Sequence, residues 1–275
     1  MKNISPFAIG ISIILIIGLI MQIPFNQILT EDYFSSFQIE YIALTLKMSM
    51  IFVVSLIGIK KFQVRSLSGL SFNYKWTSKL LNVIPAYLFL IGISSFMGKN
   101  LTVIQIPNLF LLLLACLSVG FAEEFMFRGL LQSLFIQKYI SKKNSLFFMV
   151  LYPAIFFGVS HLLNLMVNPN IPQVIVQAVY AVFIGFFFGV LLLKTNKLIP
   201  IAITHGLINF FFLFNSLPSM NNSVEIETEP QIQASFVEQI LGYAIPLLMF
   251  VPLFIIGIII LKKIKKEQIQ KKIDK

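Results

Sequence analysis

The stretch Leu111-Leu-Leu-Leu-Ala-Cys-Leu-Ser-Val-Gly-Phe-Ala-Glu123-Glu124-Phe-Met-Phe-Arg128-Gly129 is a hydrocarbon-like run that turns abruptly ionic. It lies in an apolar segment over 105–136 whose only charged residues are Glu123, Glu124 and Arg128. About 20 mostly apolar residues suffice to carry a helix across the hydrocarbon core of a bilayer. A charged side chain at that depth costs at least ~2.5–3.5 kcal/mol on insertion scales, so such residues mark a functional site. The segment therefore reads as a membrane helix with chemistry inside it.

The rest of the chain supports that reading. Its 275 residues are 57% hydrophobic and only 12% charged, where soluble domains carry roughly a quarter charged residues. Further apolar runs lie at 6–23, 40–59, 80–97, 145–166, 173–193, 198–215 and 239–261. The fold class expected is all-α, a polytopic transmembrane helical bundle of about eight spans. The run over 105–136 is too long for one simple crossing and should project beyond the bilayer. The run over 6–23 has no small-residue cleavage site after it and reads as a retained first span. Three regions follow: N-terminal helices over 1–104, a core over 105–215 built from spans four to seven, and an outer loop, last helix and basic tail over 216–275.

Charge sorts the loops. Lys60, Lys61, Arg65, Lys75 and Lys79 follow the second run, Lys138, Lys142 and Lys143 the fourth, and Lys194 and Lys197 the sixth. The tail carries Lys262, Lys263, Lys265, Lys266, Lys271, Lys272 and Lys275. Alternate loops hold Glu31 and Asp32, or Glu225, Glu227, Glu229 and Glu238, with Lys99 the one base among them. Basic residues gather on the cytoplasmic side of membrane proteins. A multi-pass cell-membrane protein with both termini in the cytoplasm is expected. The excess of 21 Lys+Arg over 11 Asp+Glu is thus a topology signal, and nucleic acid drops out as a partner. The expected partners are membrane lipids and a peptide or membrane-protein substrate.

Other features have local readings. Cys116 is the single cysteine, so an intrachain disulfide and a multi-cysteine metal site are both excluded. Lys47, inside the second run, needs a partner such as Glu40 or a place near the span end. Gly185-Phe-Phe-Phe-Gly189 has the spacing of a close helix contact within the monomer. Pro153, Pro246 and Pro252 mark expected distortions of the fifth and eighth spans.

The remaining polar residues form three sets. Glu123, Glu124 and Arg128 lie in the fourth run, His161 ends Phe157-Gly-Val-Ser-His161 in the fifth, and His205-Gly-Leu-Ile-Asn209 lies in the seventh. Both histidines of the chain are among them. Glu124 and Arg128 are i,i+4 neighbours, acid first, the favourable order for an ion pair. Glu123 is turned about 100° away and faces something else. His205 and Asn209 share a face. A carboxylate and an imidazole can activate water, while a second imidazole and an amide can hydrogen-bond a developing oxyanion. Glu123 with His161, and His205 with Asn209, supply those halves. The set Glu123, His161 and His205 could equally hold a divalent metal such as zinc with a water in the open position. Counted along the spans, His161 falls nearer the outer face than His205, so the side on which such a site opens stays undecided.

Glu123-Glu124-Phe-Met-Phe-Arg128, Phe157-x-x-x-His161 and His205-x-x-x-Asn209, in this order, resemble the motifs of the CAAX-protease and bacteriocin-processing family of intramembrane endopeptidases, also called Abi. The resemblance covers roughly 105–215. It implies peptide-bond hydrolysis within the membrane, on small hydrophobic or membrane-associated peptides, in bacteriocin maturation, self-immunity or peptide signalling. It assigns Glu123 and His161 to water activation, His205 and Asn209 to the oxyanion, and Glu124 and Arg128 to support. The family has been described both as metalloproteases and as metal-independent glutamate proteases, which leaves zinc open as a cofactor. The abundance of Lys, Ile, Asn and Phe hints at an AT-rich bacterial genome, in which a prenylated CAAX substrate is not expected. The alternatives are a non-catalytic immunity or scaffold protein and a proton-coupled transporter. The intact polar set argues against the first, and the lack of paired broken helices against the second.

Overall fold

The computed structural model describes residues 5–70, 105–140, 146–218, 236–267 and 269. Among these, every regular element is helical and no strand occurs. Helix α1 (Pro6–Met21) leads through the short α2 (Phe25–Ile28) to α3 (Ser36–Lys61). Helix α4 (Ile106–Glu123) continues through a π-helical stretch, Glu124–Gln132, into α5 (Ser133–Tyr139). Helix α6 (Leu146–Ser160) passes into a 3-10 segment, His161–Met166. Then come α7 (Ile171–Thr195), α8 (Leu198–Leu213) with a 3-10 turn over Phe214–Ser216, and α9 (Phe236–Leu261).

Among the described residues, six helical stretches are long and apolar enough to cross a membrane: Ser36–Lys61, Ile106–Tyr139, Leu146–Met166, Ile171–Thr195, Leu198–Ser216 and Ile240–Leu261. Helix α1 is a shorter apolar helix of 16 residues. The span expected over 80–97 lies outside the described residues. So do Lys75, Lys79, Lys99, Lys142, Lys143, most of the acidic outer loop and the end of the tail. The stretch Ile106–Tyr139 has 34 residues. At ~1.5 Å per residue it is roughly 50 Å long, well beyond a ~30 Å core, as the over-long fourth run requires.

Local chemistry sets the helix ends. Ser35 begins α3 with a capping box: its hydroxyl accepts from the Gln38 N–H (3.3 Å), and Gln38 Oε1 accepts from the Ser35 N–H (3.1 Å). Two otherwise orphaned donors are satisfied together. Asn170 caps α7 through the Gln173 N–H, and Asn196 closes it in the left-handed region (φ 55°). Asparagine tolerates that conformation, and the chain turns at once into α8.

Contacts fix the directions. Gln38 Nε2 donates to Asn108 Oδ1 (3.1 Å) near the starts of α3 and α4, and Gly58 meets Leu130 farther along both. The two helices are therefore parallel, so the chain leaves α3 at one end of the bundle and enters α4 at the other. Arg128 and Gln132 reach Gly185 and Gly189, which makes α7 parallel to them. Gly120 faces Gly206, and Gly129 faces Leu198, so α8 is antiparallel. This topology collects Lys60, Lys61, Lys138, Lys194, Lys197 and Lys262 at one end, with Glu31, Asp32 and Glu40 at the other.

Glycines allow the helices to touch. A Cβ on Gly120 would collide with the Ala202 carbonyl and lie 2.6 Å from Gly206 N; one on Gly206 would lie 2.8 Å from Leu117 Cα. Backbone therefore meets backbone where α4 crosses α8, the close approach that small residues permit in lipid. Gly185 and Gly189 serve the same purpose inside the monomer. A Cβ at Gly185 would sit 2.7 Å from Arg128 Nη2, and one at Gly189 would strike the Gln132 amide. Pro153 lies inside α6, and Pro246 and Pro252 inside α9, without ending either helix. One expectation is corrected. Lys47 does not pair with Glu40; its Nζ donates to the Met21 carbonyl (2.8 Å) at the last residue of α1. That carbonyl has no intrahelical donor and carries the negative end of the helix dipole, so it attracts an ammonium.

Gly120→Ala should destabilise the protein by about 1–3 kcal/mol, the usual cost of overpacking, read as a lower thermal midpoint in detergent. Gly242→Ala is the control: a Cβ there meets nothing within 4 Å among the described residues. It should leave the midpoint unchanged or raise it.

Candidate active site

Glu124 is fully buried, and a guanidinium and an imidazole converge on one of its oxygens. Arg128 Nη1 lies 2.9 Å from Glu124 Oε1, the i,i+4 pair legible in the sequence. His205 Nδ1 lies 2.8 Å from the same oxygen, brought from α8 by the Gly120–Gly206 contact. An ionised carboxylate only accepts, so Nδ1 carries the proton. The other ring nitrogen, Nε2, faces Glu123 Oε2 at 3.4 Å. Glu123 keeps 19% of its side-chain surface, where Glu124 keeps none. The adjacent glutamates thus have different surroundings, one sealed in a charge cluster and one open to a cavity.

The guanidinium of Arg128 is also held from its other sides. Its Nε donates to the Gly185 carbonyl at 3.4 Å, and its charge lies 4.2 Å from the centre of the Phe157 ring. A cation over a ring face is stabilised by the ring quadrupole, more so away from water. Phe157 is shared further. His161 packs edge-on to it with centroids 4.7 Å apart, and His205 does the same at 5.9 Å. The phenylalanine of the Phe157-x-x-x-His161 motif therefore separates the two imidazoles and places both.

His161 stands where α6 tightens into its 3-10 segment. Its Nδ1 lies 2.9 Å from the Phe157 carbonyl oxygen. A carbonyl can only accept, so Nδ1 carries the proton and Nε2 presents a lone pair. His161 lines the same cavity as Glu123, but the imidazole within 3.4 Å of the Glu123 carboxylate is that of His205.

That cavity measures about 440 Å³ and is lined by Glu123, His161, His205 and Asn209 together. All four residues assigned to catalysis from the sequence share one space. Apolar walls come from Met48, Ile51, Val119, Ile184, Phe212 and Phe250, with Cys116 among them as a buried thiol. Asn164 and Gln177 also line it and were missed in the sequence; Asn164 Nδ2 donates to Gln177 Oε1 at 2.9 Å. Asn164 lies three residues beyond His161, a spacing that could have flagged it. Gln177 carries no signal beyond being polar in an apolar run.

The zinc alternative fits poorly. Among the described residues no group of three His, Cys, Asp or Glu side chains is disposed to hold a metal ion. Glu123, His161 and His205 share a cavity but do not converge on one point.

Residues 105–211 match the family model for the type II CAAX prenyl endopeptidase, Rce1-like. That stretch is similar to this family over less than half of the chain. The match supports an intramembrane protease of the CAAX type and covers the Glu-Glu-x-x-x-Arg, Phe-x-x-x-His and His-x-x-x-Asn motifs in full. Comparison with curated proteins and with solved structures returned no match. Within the matched residues, α4 and the π-helical stretch hold the glutamates, α6 and α7 the Phe157 and Gly185 supports, and α8 the second histidine.

Arg128→Met should strand Glu124 as a buried charge and cost about 3–5 kcal/mol, seen as a large drop in the thermal midpoint in detergent. Adding Glu124→Gln should restore part of that loss. Two additive midpoint shifts, with no recovery in the double variant, would show that the pair is not coupled.

Proposed function

We propose that the chain is an intramembrane endopeptidase that cuts small hydrophobic or membrane-associated peptides, with Glu123 as general base and then general acid. The observation that carries this reading is the opposite wiring of the two histidines around Glu123. His161 gives its Nδ1 proton to a backbone carbonyl, so its Nε2 can accept from water. His205 gives its Nδ1 proton to a carboxylate that also faces Arg128. Protonated at Nε2 as well, His205 becomes a donor, and the cluster Glu123, Glu124, Arg128 and His205 is then electrically neutral. Neutrality favours such a cluster at a depth where water cannot screen it.

The reaction follows from those roles. Water enters between Glu123 and His161. Glu123 takes one proton as the water oxygen bonds to the peptide carbonyl carbon. The carbonyl oxygen becomes an oxyanion and accepts hydrogen bonds from His205 Nε2–H and the Asn209 amide. As the C–N bond breaks, Glu123 returns the proton to the leaving nitrogen, giving a carboxylic acid and an amine. Glu124 and Arg128 act as positioning residues through His205. No step is assigned to a metal, because the donors present do not converge on one. The apolar walls suit an aliphatic or aromatic peptide segment, and the roles in bacteriocin maturation, self-immunity or peptide signalling are readings of the same activity.

Purified protein in detergent or liposomes should cleave a fluorogenic farnesylated CAAX-type peptide or a hydrophobic reporter peptide. Glu123→Gln and His205→Ala should each lower kcat by at least ~100-fold, as loss of an acid–base group or an oxyanion donor does, and Glu123→Gln should leave the thermal midpoint unchanged. Activity should survive chelators. Full cleavage by both variants would sink the peptidase reading, and loss of activity on chelation with recovery on added zinc would sink its metal-free form.

A further inference from the structure

We propose that the active-site cavity takes its substrate from the extracytoplasmic side of the membrane, so that the bond cut lies in a peptide segment at the outer interface. This rests on the peptidase reading for the word substrate; the direction of access rests on geometry and charge alone.

Among the described residues, the cavity has a filled end and an end towards which its lining continues. Towards the lysine-bearing end of the bundle, the space beyond Glu123 and His205 is filled. Phe127, Arg128, Gln132 and Ser133 are there, each at most 1% exposed, with the Gly185 and Gly189 backbones pressed against Arg128 and Gln132. In the other direction the lining climbs every wall. On α8 it runs from His205 through Asn209 to Leu213, about 12 Å at 1.5 Å per residue. On α3 it runs from Ile51 through Met48 back to Leu44, and on α1 from Ile17 to Met21. On the α6 side it passes from Phe157 and His161 to Asn164. These progressions all lead to the end where α1 and α8 finish and α3 begins.

A second cavity adjoins there. It measures about 660 Å³ and shares Met21 and Leu44 with the first, adding Glu31, Ser36, Glu40 and Lys47. Polar side chains at the mouth and the Asn164–Gln177 amide pair along the wall give water and a peptide backbone hydrogen-bonding groups on the way in. Glu31, Asp32 and Glu40 mark this end as acidic, while Lys60, Lys61, Lys138, Lys194, Lys197 and the Lys262–Lys266 cluster mark the opposite end as basic. Basic residues stay on the cytoplasmic side. The mouth therefore faces outward. The different depths of the two histidines fit the same arrangement: His161 stands nearer the mouth and His205 at the floor.

The chain suits a labelling test, because its single cysteine, Cys116, is buried. Met21→Cys and Leu44→Cys each place a thiol where the two cavities meet, on different helices, so failure of one to fold leaves the other. Ser66→Cys marks the basic end, where Ser66 is exposed. Intact cells expressing the full chain are treated with a membrane-impermeant maleimide, before and after permeabilisation. Met21→Cys and Leu44→Cys should label severalfold above wild type before permeabilisation, and Ser66→Cys only after it. The reverse pattern, or no labelling of either mouth position in both conditions, overturns the proposal. Labelling needs no turnover, so its failure is separate from a failure of the Glu123→Gln and His205→Ala kinetics.

Discussion

A single carboxylate oxygen, Glu124 Oε1, faces Arg128 from its own helix and His205 from α8. A lone carboxylate in hydrocarbon is too costly to persist, so the surrounding structure must deliver both hydrogen-bonding partners to it. Each delivery places its own demand on the backbone. His205 reaches Glu124 because Gly120 and Gly206 let α4 and α8 meet without side chains between them. Arg128 fits because Gly185 leaves room for its guanidinium and offers it a carbonyl, while Phe157 covers its charged face. Three helices are thus fixed around one atom, and Glu123, the next residue along the chain, is turned into the cavity as a consequence.

The nine-residue π-helical stretch Glu124–Gln132 belongs to the same constraint. A π-helix lengthens each backbone ring to i→i+5 and is rare outside short insertions, which concentrate at functional sites. Here it begins at Glu124 and ends at Gln132, so it contains Arg128 and both groups that grip α7. The Ser133 hydroxyl lies 3.5 Å from the Arg128 carbonyl, five residues earlier. The wider turn is held by burial on every side, since every residue from Glu124 to Gln132 is buried. A helix wholly enclosed in this way can depart from α geometry without exposing backbone groups to lipid.

Much of this was legible because the membrane makes polar residues conspicuous. Glu123, Glu124, Arg128, His161, His205 and Asn209 stood out in apolar runs, and the Glu124–Arg128 pair followed from i,i+4 spacing alone. What could not be read was whatever depended on a distant partner. His205 meets Glu124 across 81 residues of separation, and no periodicity announces it. Lys47 was matched to the nearest acid in sequence, but the group that needed a donor was a backbone carbonyl at the end of α1, and every helix end has such groups. The π-helical stretch left no compositional mark, because its cause is the packing around it. The Gly185 and Gly189 spacing was visible, yet the reason for it, an arginine and a glutamine laid across a glycine face, required the three-dimensional contact.

The two histidines show how little of a residue's role is contained in its type. Both imidazoles touch Phe157, both line one cavity, and both use Nδ1 for anchoring. They differ in the anchor. The anchor of His161 is the neutral Phe157 carbonyl, whereas His205 lies between the Glu124 and Glu123 carboxylates. Under the proposed reaction Glu123 takes its proton from water on the His161 side and returns it to the leaving nitrogen, while His205 serves the oxyanion. The asymmetry originates in Glu124, a carboxylate with no exposed surface.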